Sequence, residues 1–103
     1  AIGDGANVET RPSGGALRPQ VDVLAHNLSA VGSAKPMRKY DGYTVMPITV
    51  NRRELMLLEV DREGRVKQSA PFPDLTKPRR STWLFDRYAL KVIYFRRILR
   101  GKV

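Results

Sequence analysis

The apolar residues of this chain change their spacing once, near residue 40, and that change limits the folds open to it. Leu17, Val21, Leu24, Leu28 and Val31 recur at helical spacing, so residues 16–31 are expected to form one helix with a single apolar stripe. Pro19 suits a first helical turn better than an interior, which moves the expected start toward Arg18. Gly32 is the expected stop. His26 lies off the stripe and is expected to face solvent. Ahead of the helix, residues 8–15 read as a Pro/Gly loop, and residues 33–42 behind it as a polar connector. From Tyr43 the composition turns β-branched and aromatic. Residues 43–50 are expected to be a strand, with Pro47 marking an edge or a bulge. After a turn at Asn51-Arg52-Arg53, residues 54–60 form a second strand, expected to be buried on both faces in its middle. Asp61-Arg62-Glu63-Gly64 is a tight turn with Gly where positive φ is usual, and residues 65–69 a short third strand. The fold expected is α+β: a helix, a three-stranded antiparallel meander over residues 43–69, and one or two C-terminal helices.

Composition narrows the chemistry. With 103 residues the chain makes at most one small domain. It has no cysteine and one histidine, which excludes disulfides, zinc–thiolate sites, thiol redox chemistry and any multi-histidine metal site within it. No metal site is expected. No basic region followed by an apolar run opens the chain, and no run of about 18 apolar residues occurs. The charge is one-sided: nine basic residues and one acid lie from Lys77 onward, whereas residues 1–76 hold ten basic and nine acidic residues. A strongly basic tail on a near-neutral body suits a polyanionic surface.

That tail is also aromatic. After a rigid Ala70-Pro71-Phe72-Pro73-Asp74 loop, Ser81 is the expected N-cap of a helical stretch over residues 82–99. Arg87 and Lys91 fall on one side of its wheel, and Arg96, Arg97 and Arg100 on another. The aromatics Trp83, Phe85, Tyr88, Tyr94 and Phe95 are similarly spread. Two short helices with a break near Leu90 therefore fit better than one amphipathic helix.

Two short motifs carry a resemblance. The chain opens Ala1-Ile2-Gly3-Asp4-Gly5, a strand end passing into a turn, and continues through Arg38-Lys39-Tyr40-Asp41-Gly42-Tyr43-Thr44-Val45-Met46-Pro47. The first resembles the Ala-x-Gly-Asp turn of flavoprotein disulfide reductases. The second resembles the Tyr-Asp-Gly-Tyr-x-x-Cys-Pro signature of sulfide:quinone oxidoreductases, members of the FAD-dependent pyridine nucleotide-disulfide reductase superfamily. The Leu57-Leu58-Glu59-Val60 strand, the Phe72-Pro73 loop, and segments 77–84 and 99–101 come after it collinearly. The resemblance implies a C-terminal fragment of a larger two-Rossmann flavoprotein: residues 1–32 as the end of the FAD-binding region and its helix, 43–69 as strands, and 78–103 as basic-aromatic helices toward membrane and quinone. It implies FAD contact at Gly3 and Asp4, since a carboxylate accepts hydrogen bonds from ribityl hydroxyls and glycine lets the backbone approach closely. It implies quinone or membrane contact at Trp83, Leu84, Tyr88, Tyr94, Phe95, Arg96 and Arg97.

Two positions depart from the pattern. Met46 stands where the family has a redox-active cysteine, and a thioether forms neither thiolate nor persulfide; no catalytic residue is expected here, and Met46 is expected to pack in the core. Pro12-Ser13-Gly14-Gly15 replaces a Lys-Thr followed by small residues, so polar contacts made there in the family do not carry over. No Gly-x-Gly-x-x-Gly fingerprint is present. The chain alone is thus expected to be inactive and not to hold FAD, which belongs to the parent. Its expected partners are missing N-terminal nucleotide-binding domains, quinone and an anionic membrane surface, with self-association through exposed edges, and its expected place is cytoplasmic, peripheral on a membrane's inner face. The alternatives are a stand-alone basic module binding anionic lipid or nucleic acid, although nucleic acid is not expected for want of a motif, and a regulator that has lost its catalytic half.

Overall fold

The computed structural model describes residues 1–71 and 74–102; the Phe72-Pro73 loop of the resemblance lies outside the described residues. The elements run as a short 3-10 turn at Gly3–Gly5, helix α1 (Gly14–Ala30), strands β1 (Thr44–Asn51) and β2 (Glu54–Val60), helix α2 (Arg80–Leu84), a π-helical turn Phe85–Ala89, helix α3 (Leu90–Arg96) and a 3-10 turn Ile98–Arg100. The chain divides into two compact units: Ala1–Met46 with Glu59–Ser69, and Pro47–Leu58 with Ala70–Val103.

In the first unit, α1 begins earlier than Pro19 suggests. Ser13 is its N-cap, and Ser13 Oγ accepts a hydrogen bond from Ala16 N at 3.0 Å, a cap worth about 1 kcal/mol. The same hydroxyl meets Thr44 Oγ1 at 2.9 Å, so a tertiary bond sets the helix start. Pro19 consequently sits inside the helix, where it forfeits one backbone hydrogen bond. The C-terminus is as expected: Val31 is extended and Gly32 turns left-handed at φ +78°.

The apolar stripe does not face the unit's interior. Leu17, Val21, Leu24, Leu28 and Val31 are all exposed. The inward face lies one residue earlier, along Ala16, Gln20, Val23, Asn27 and Ala30, with Ala16, Gln20 and Ala30 buried. Small residues there allow close approach: a Cβ on Gly15 would lie 2.0 Å from Val45 Cγ1. Polar side chains do the rest. Asn27 donates from Nδ2 to Arg38 O at 2.9 Å and accepts from Arg38 N at 2.7 Å, and His26 Nε2 donates to Pro36 O at 3.1 Å. His26 is therefore half-buried against the connector rather than turned to solvent.

The sheet has two strands, not three. β1 and β2 form a hairpin, which the two-residue Arg52-Arg53 loop makes antiparallel. Residues 65–69 turn back at Gly64 (φ +78°) but add one bridge, Val60 with Val66. The ladder ends there because Ser69 is drawn onto the Glu59 side chain instead of continuing it. Within the second unit, Leu55 makes a two-bond bridge with Arg79. Both extra partners belong to β2, so β1, which carries Pro47, is the edge strand expected of it. The middle of β2 is only half-buried; its buried residues are Leu55 and Glu59.

The C-terminal helix starts at Arg80 with Arg79 as N-cap, so Ser81 lies inside its first turn. The two short helices expected here are α2 and α3, and α3 begins at Leu90, but the chain between them stays helical instead of breaking. Leu84, Phe85, Ala89 and Leu90 all keep right-handed helical angles, and one extra residue is absorbed as the π-turn. That insertion rotates α3 about the helix axis relative to α2, which is why the wheel of a regular helix fails.

The Gly15–Val45 contact yields a test. Gly15→Ala should lower stability by about 1–3 kcal/mol in urea denaturation, whereas Gly14→Ala, which meets nothing within 4 Å, should be neutral or mildly stabilising. Val45→Ala should recover part of the loss in the double variant; no recovery would show that the contact is not the cause.

Candidate functional site

The Gly-Asp turn is built on the start of α1. Gly3 has φ +67°, a conformation side chains resist, and its N–H donates to Gln20 Oε1 at 2.7 Å. Gln20 is buried, so its amide is committed to this turn. Asp4, at the centre of the turn, is exposed, and its carboxylate has no hydrogen bond or ion pair among the described residues. Sequence patterning marked Gly3 and Asp4 but not Gln20, which reads as an ordinary polar helix position.

The Tyr-Asp-Gly-Tyr run is fixed by packing and by two charged side chains from beyond the end of β2. Gly42 is buried at φ +83°, and a Cβ there would lie 2.6 Å from Arg62 Cβ and 3.1 Å from Thr10 Cγ2. Arg62 spreads its guanidinium over Val8 O (3.2 Å), Glu9 Oε2 (3.2 Å) and Tyr40 O (3.1 Å), tying the loop after the Gly-Asp turn to the motif. Asp41 accepts from Tyr43 N at 3.0 Å and pairs with Lys67 at 2.9 Å; the Lys67 ammonium first, then that backbone bond, holds its carboxyl below the usual range. Tyr40 OH donates to Tyr43 O.

Glu59 is the most constrained carboxylate of the unit. It is buried, and accepts from Tyr43 OH, Ser69 N and Ser69 Oγ, each at 2.6 Å. Burial alone pushes its pKa up, but the Ser69 and Tyr43 bonds outweigh it and keep the carboxyl below the ordinary glutamate value of 4.5. Tyr43 is pushed well above the usual tyrosine range, by burial first and then by the Glu59 carboxylate, and stays a donor. In the sequence Glu59 was visible only as an acid ending a strand.

Met46 lies on β1 and is half-buried, outside the buried apolar set of Ala16, Ala30 and Leu55, which corrects its expected core role. Of the expected quinone and membrane residues, all lie in the second unit. Trp83 is half-buried, stacked edge-on with Tyr88 (centroids 6.3 Å) and covered by Arg87, whose Cζ is 5.5 Å from the ring centroid. Tyr94 and Phe95 form a second edge-on pair at 5.2 Å. Leu84, Tyr88, Tyr94, Phe95, Arg96 and Arg97 are exposed. Arg87, which sequence reading counted only as charge, lies four residues after Trp83, a spacing that places it over the ring along the same helix.

The division into units sharpens the charge asymmetry. The first unit holds eight basic and seven acidic residues, the second eleven basic and three acidic, a net charge of +8. The ion pairs are distributed inversely: four lie in the first unit and one, Lys77 with Asp74, in the second, among the described residues. Among the described residues no helix is long and apolar enough to cross a membrane.

Against known proteins, the sequence is similar to three curated mitochondrial sulfide:quinone oxidoreductases. It is 29% identical to that of Mus musculus over 101 residues, covering 97% of this chain and 22% of the relative. It is 30% identical to that of Dictyostelium discoideum over 103 residues (99% of this chain, 23% of the relative) and 30% identical to that of Schizosaccharomyces pombe over 106 residues (98% and 23%). The chain thus spans less than a quarter of the length of these relatives. No protein-family model matches it.

The Glu59 network generates a pH dependence. A carboxyl depressed in the folded state adds stability that is complete above its unfolded value and disappears as pH falls through the folded value. The urea midpoint of the native protein should therefore drop on acidification below about pH 4.5 more steeply than that of Glu59→Gln. Tyr43→Phe, which removes one charge-assisted donor, should cost about 1–2 kcal/mol at neutral pH. Parallel acid profiles for native and Glu59→Gln would refute the assignment.

Proposed function

We propose that this chain is a C-terminal segment of an FAD-dependent oxidoreductase of sulfide:quinone type, in which it contributes flavin, quinone and membrane contacts and does not act alone. The observation that carries the reading is the similarity over nearly the whole chain to three such enzymes. The Gly-Asp turn fits a flavin contact: its carboxylate is exposed and unpartnered among the described residues, and Gln20 and Gly3 hold the turn that presents it. Asp4 would accept hydrogen bonds from hydroxyls of the cofactor chain, and bound FAD would supply the electron transfer. Met46 supplies no thiol, so in the proposed enzyme this position carries no persulfide chemistry, and the electron donor need not be sulfide.

The C-terminal helix is the proposed quinone and membrane side, with Trp83, Leu84, Tyr88, Tyr94, Phe95, Arg96 and Arg97 at the headgroup level, on the cytoplasmic inner face of a membrane. Exposed aromatics beside arginines unpaired among the described residues support this placement. The exposed stripe of α1 and the edge of β1 are the faces proposed to meet the rest of the enzyme, or a second copy when that is absent. A second reading, a basic module acting through anion binding alone, is favoured by the +8 charge of the second unit.

Flavin content separates the two. In the intact enzyme, Asp4→Ala should weaken FAD retention by roughly tenfold, the loss of one charge-assisted contact, with flavin absorbance per protein as the readout. The 103-residue chain alone should purify colourless. Stoichiometric FAD on the isolated chain, or unchanged retention in Asp4→Ala, would overturn the flavin assignment.

A further inference from the structure

The basic surface of the second unit is not confined to its tail. The hairpin loop between β1 and β2 consists of Arg52 and Arg53, both exposed. An Asx turn, with Asn51 Oδ1 accepting from Arg53 N at 2.9 Å, fixes the loop. The other end of the site comes from residues far along the chain. Leu55 and Arg79 exchange both backbone hydrogen bonds, at 3.2 and 3.1 Å. Two residues back from Leu55 is Arg53, and one residue on from Arg79 is Arg80. The bridge brings the start of α2 to the end of β2 that carries the hairpin loop: Arg79 lies across from Leu55, and Arg80, the first residue of α2, falls beside Glu54, which directly follows Arg53.

None of the three guanidinium groups has a carboxylate partner among the described residues. Glu54, the acid at this end, accepts from Asn51 Nδ2 through Oε2 at 2.5 Å. That neutral donor leaves its charge in place, so one carboxylate stands against three guanidiniums and this end stays net positive. Apolar side chains flank them: Ile48 and Val50 on β1, and Leu84 and Phe85 one turn along from Arg80, all exposed. Guanidinium forks suit phosphate oxygens, and apolar neighbours suit the acyl boundary beneath them.

We infer that Arg52, Arg53 and Arg80 form a phosphate-binding cluster that docks the hairpin loop onto anionic phospholipid headgroups. This rests on the proposed membrane contact and extends it: the protein meets the bilayer through the hairpin loop as well as through the C-terminal helix. The cluster is discontinuous in sequence, so a basic tail alone does not reveal it.

The test is co-sedimentation of the intact protein with phosphatidylserine-containing and pure phosphatidylcholine vesicles across a salt series. Arg52→Gln/Arg53→Gln should weaken binding to the anionic vesicles by at least about tenfold, and adding Arg80→Gln should weaken it further. Circular dichroism should match the native protein. Arg38→Gln/Lys39→Gln removes the same charge from the first unit and should leave binding unchanged. Equal loss in that control would reduce the effect to net charge and overturn the cluster. Loss on Arg96→Gln/Arg97→Gln with none on the loop variant would overturn the cluster and leave the membrane reading standing. Absence of any native binding to anionic vesicles would overturn both. Displacement by inorganic phosphate at low concentration would identify a free-anion site, and tighter binding to an oligonucleotide than to vesicles would identify a nucleic-acid surface; either result overturns lipid docking.

Discussion

Much of the first unit depends on one buried hydroxyl, that of Thr44. Thr44 is the largest fully buried side chain among the described residues, and its Oγ1 donates to Arg11 O at 2.8 Å. With its proton committed there, it can only accept from Ser13 Oγ, which in turn accepts from Ala16 N and, at 3.4 Å, from Val45 N. Two short side chains thus join the loop before α1, the first turn of α1 and the first residues of β1. Glycine at position 15 is needed for the same reason, because the helix can reach Val45 only if it has no Cβ there. Bonds of this kind each contribute little net stability, but leaving one partner buried and unmet costs more, so the set holds together or fails together.

Polar burial recurs through the described residues, hydrogen-bonded at Gln20, Thr44 and Glu59 but not at the Thr82 hydroxyl. Gln20, Thr44, Glu59 and Thr82 are buried beside only three apolar residues, Ala16, Ala30 and Leu55. The large apolar side chains are mostly on the outside, along α1 and the C-terminal helix. Such a distribution is the reverse of a self-sufficient small domain. It supports the proposal that these faces are covered by other protein or by lipid, and the chain spans less than a quarter of the length of the relatives it matches.

How far the sequence could be read varies by element. The ends set by backbone chemistry were legible: Gly32 closing α1, Gly64 in its turn and Pro47 on an edge strand all stem from restricted φ. Helix start positions were not, since Ser13 acquires its role from Thr44, 31 residues away. The third strand failed because Glu59 takes Ser69 for its own carboxylate. At the candidate site, Gly3 and Asp4 were visible as a motif, whereas Gln20 and Arg62 carry no local signal and are recruited by contacts that exist only after folding.

By itself the sequence determined the α+β order of elements, the absence of thiol chemistry and the excess of positive charge, because these depend on composition and short-range periodicity. It determined that α1 has an apolar stripe, but not which way that stripe faces. Only the tertiary structure decided that the adjacent face of Ala16, Gln20 and Ala30 turns inward, because the hydrogen bond Gln20 accepts from Gly3, the one Asn27 donates to Arg38 and the Gly15–Val45 approach select the rotation of the helix. Only it decided which distant residues become neighbours of β2, because one bridge between Leu55 and Arg79 brings the start of α2 to that strand.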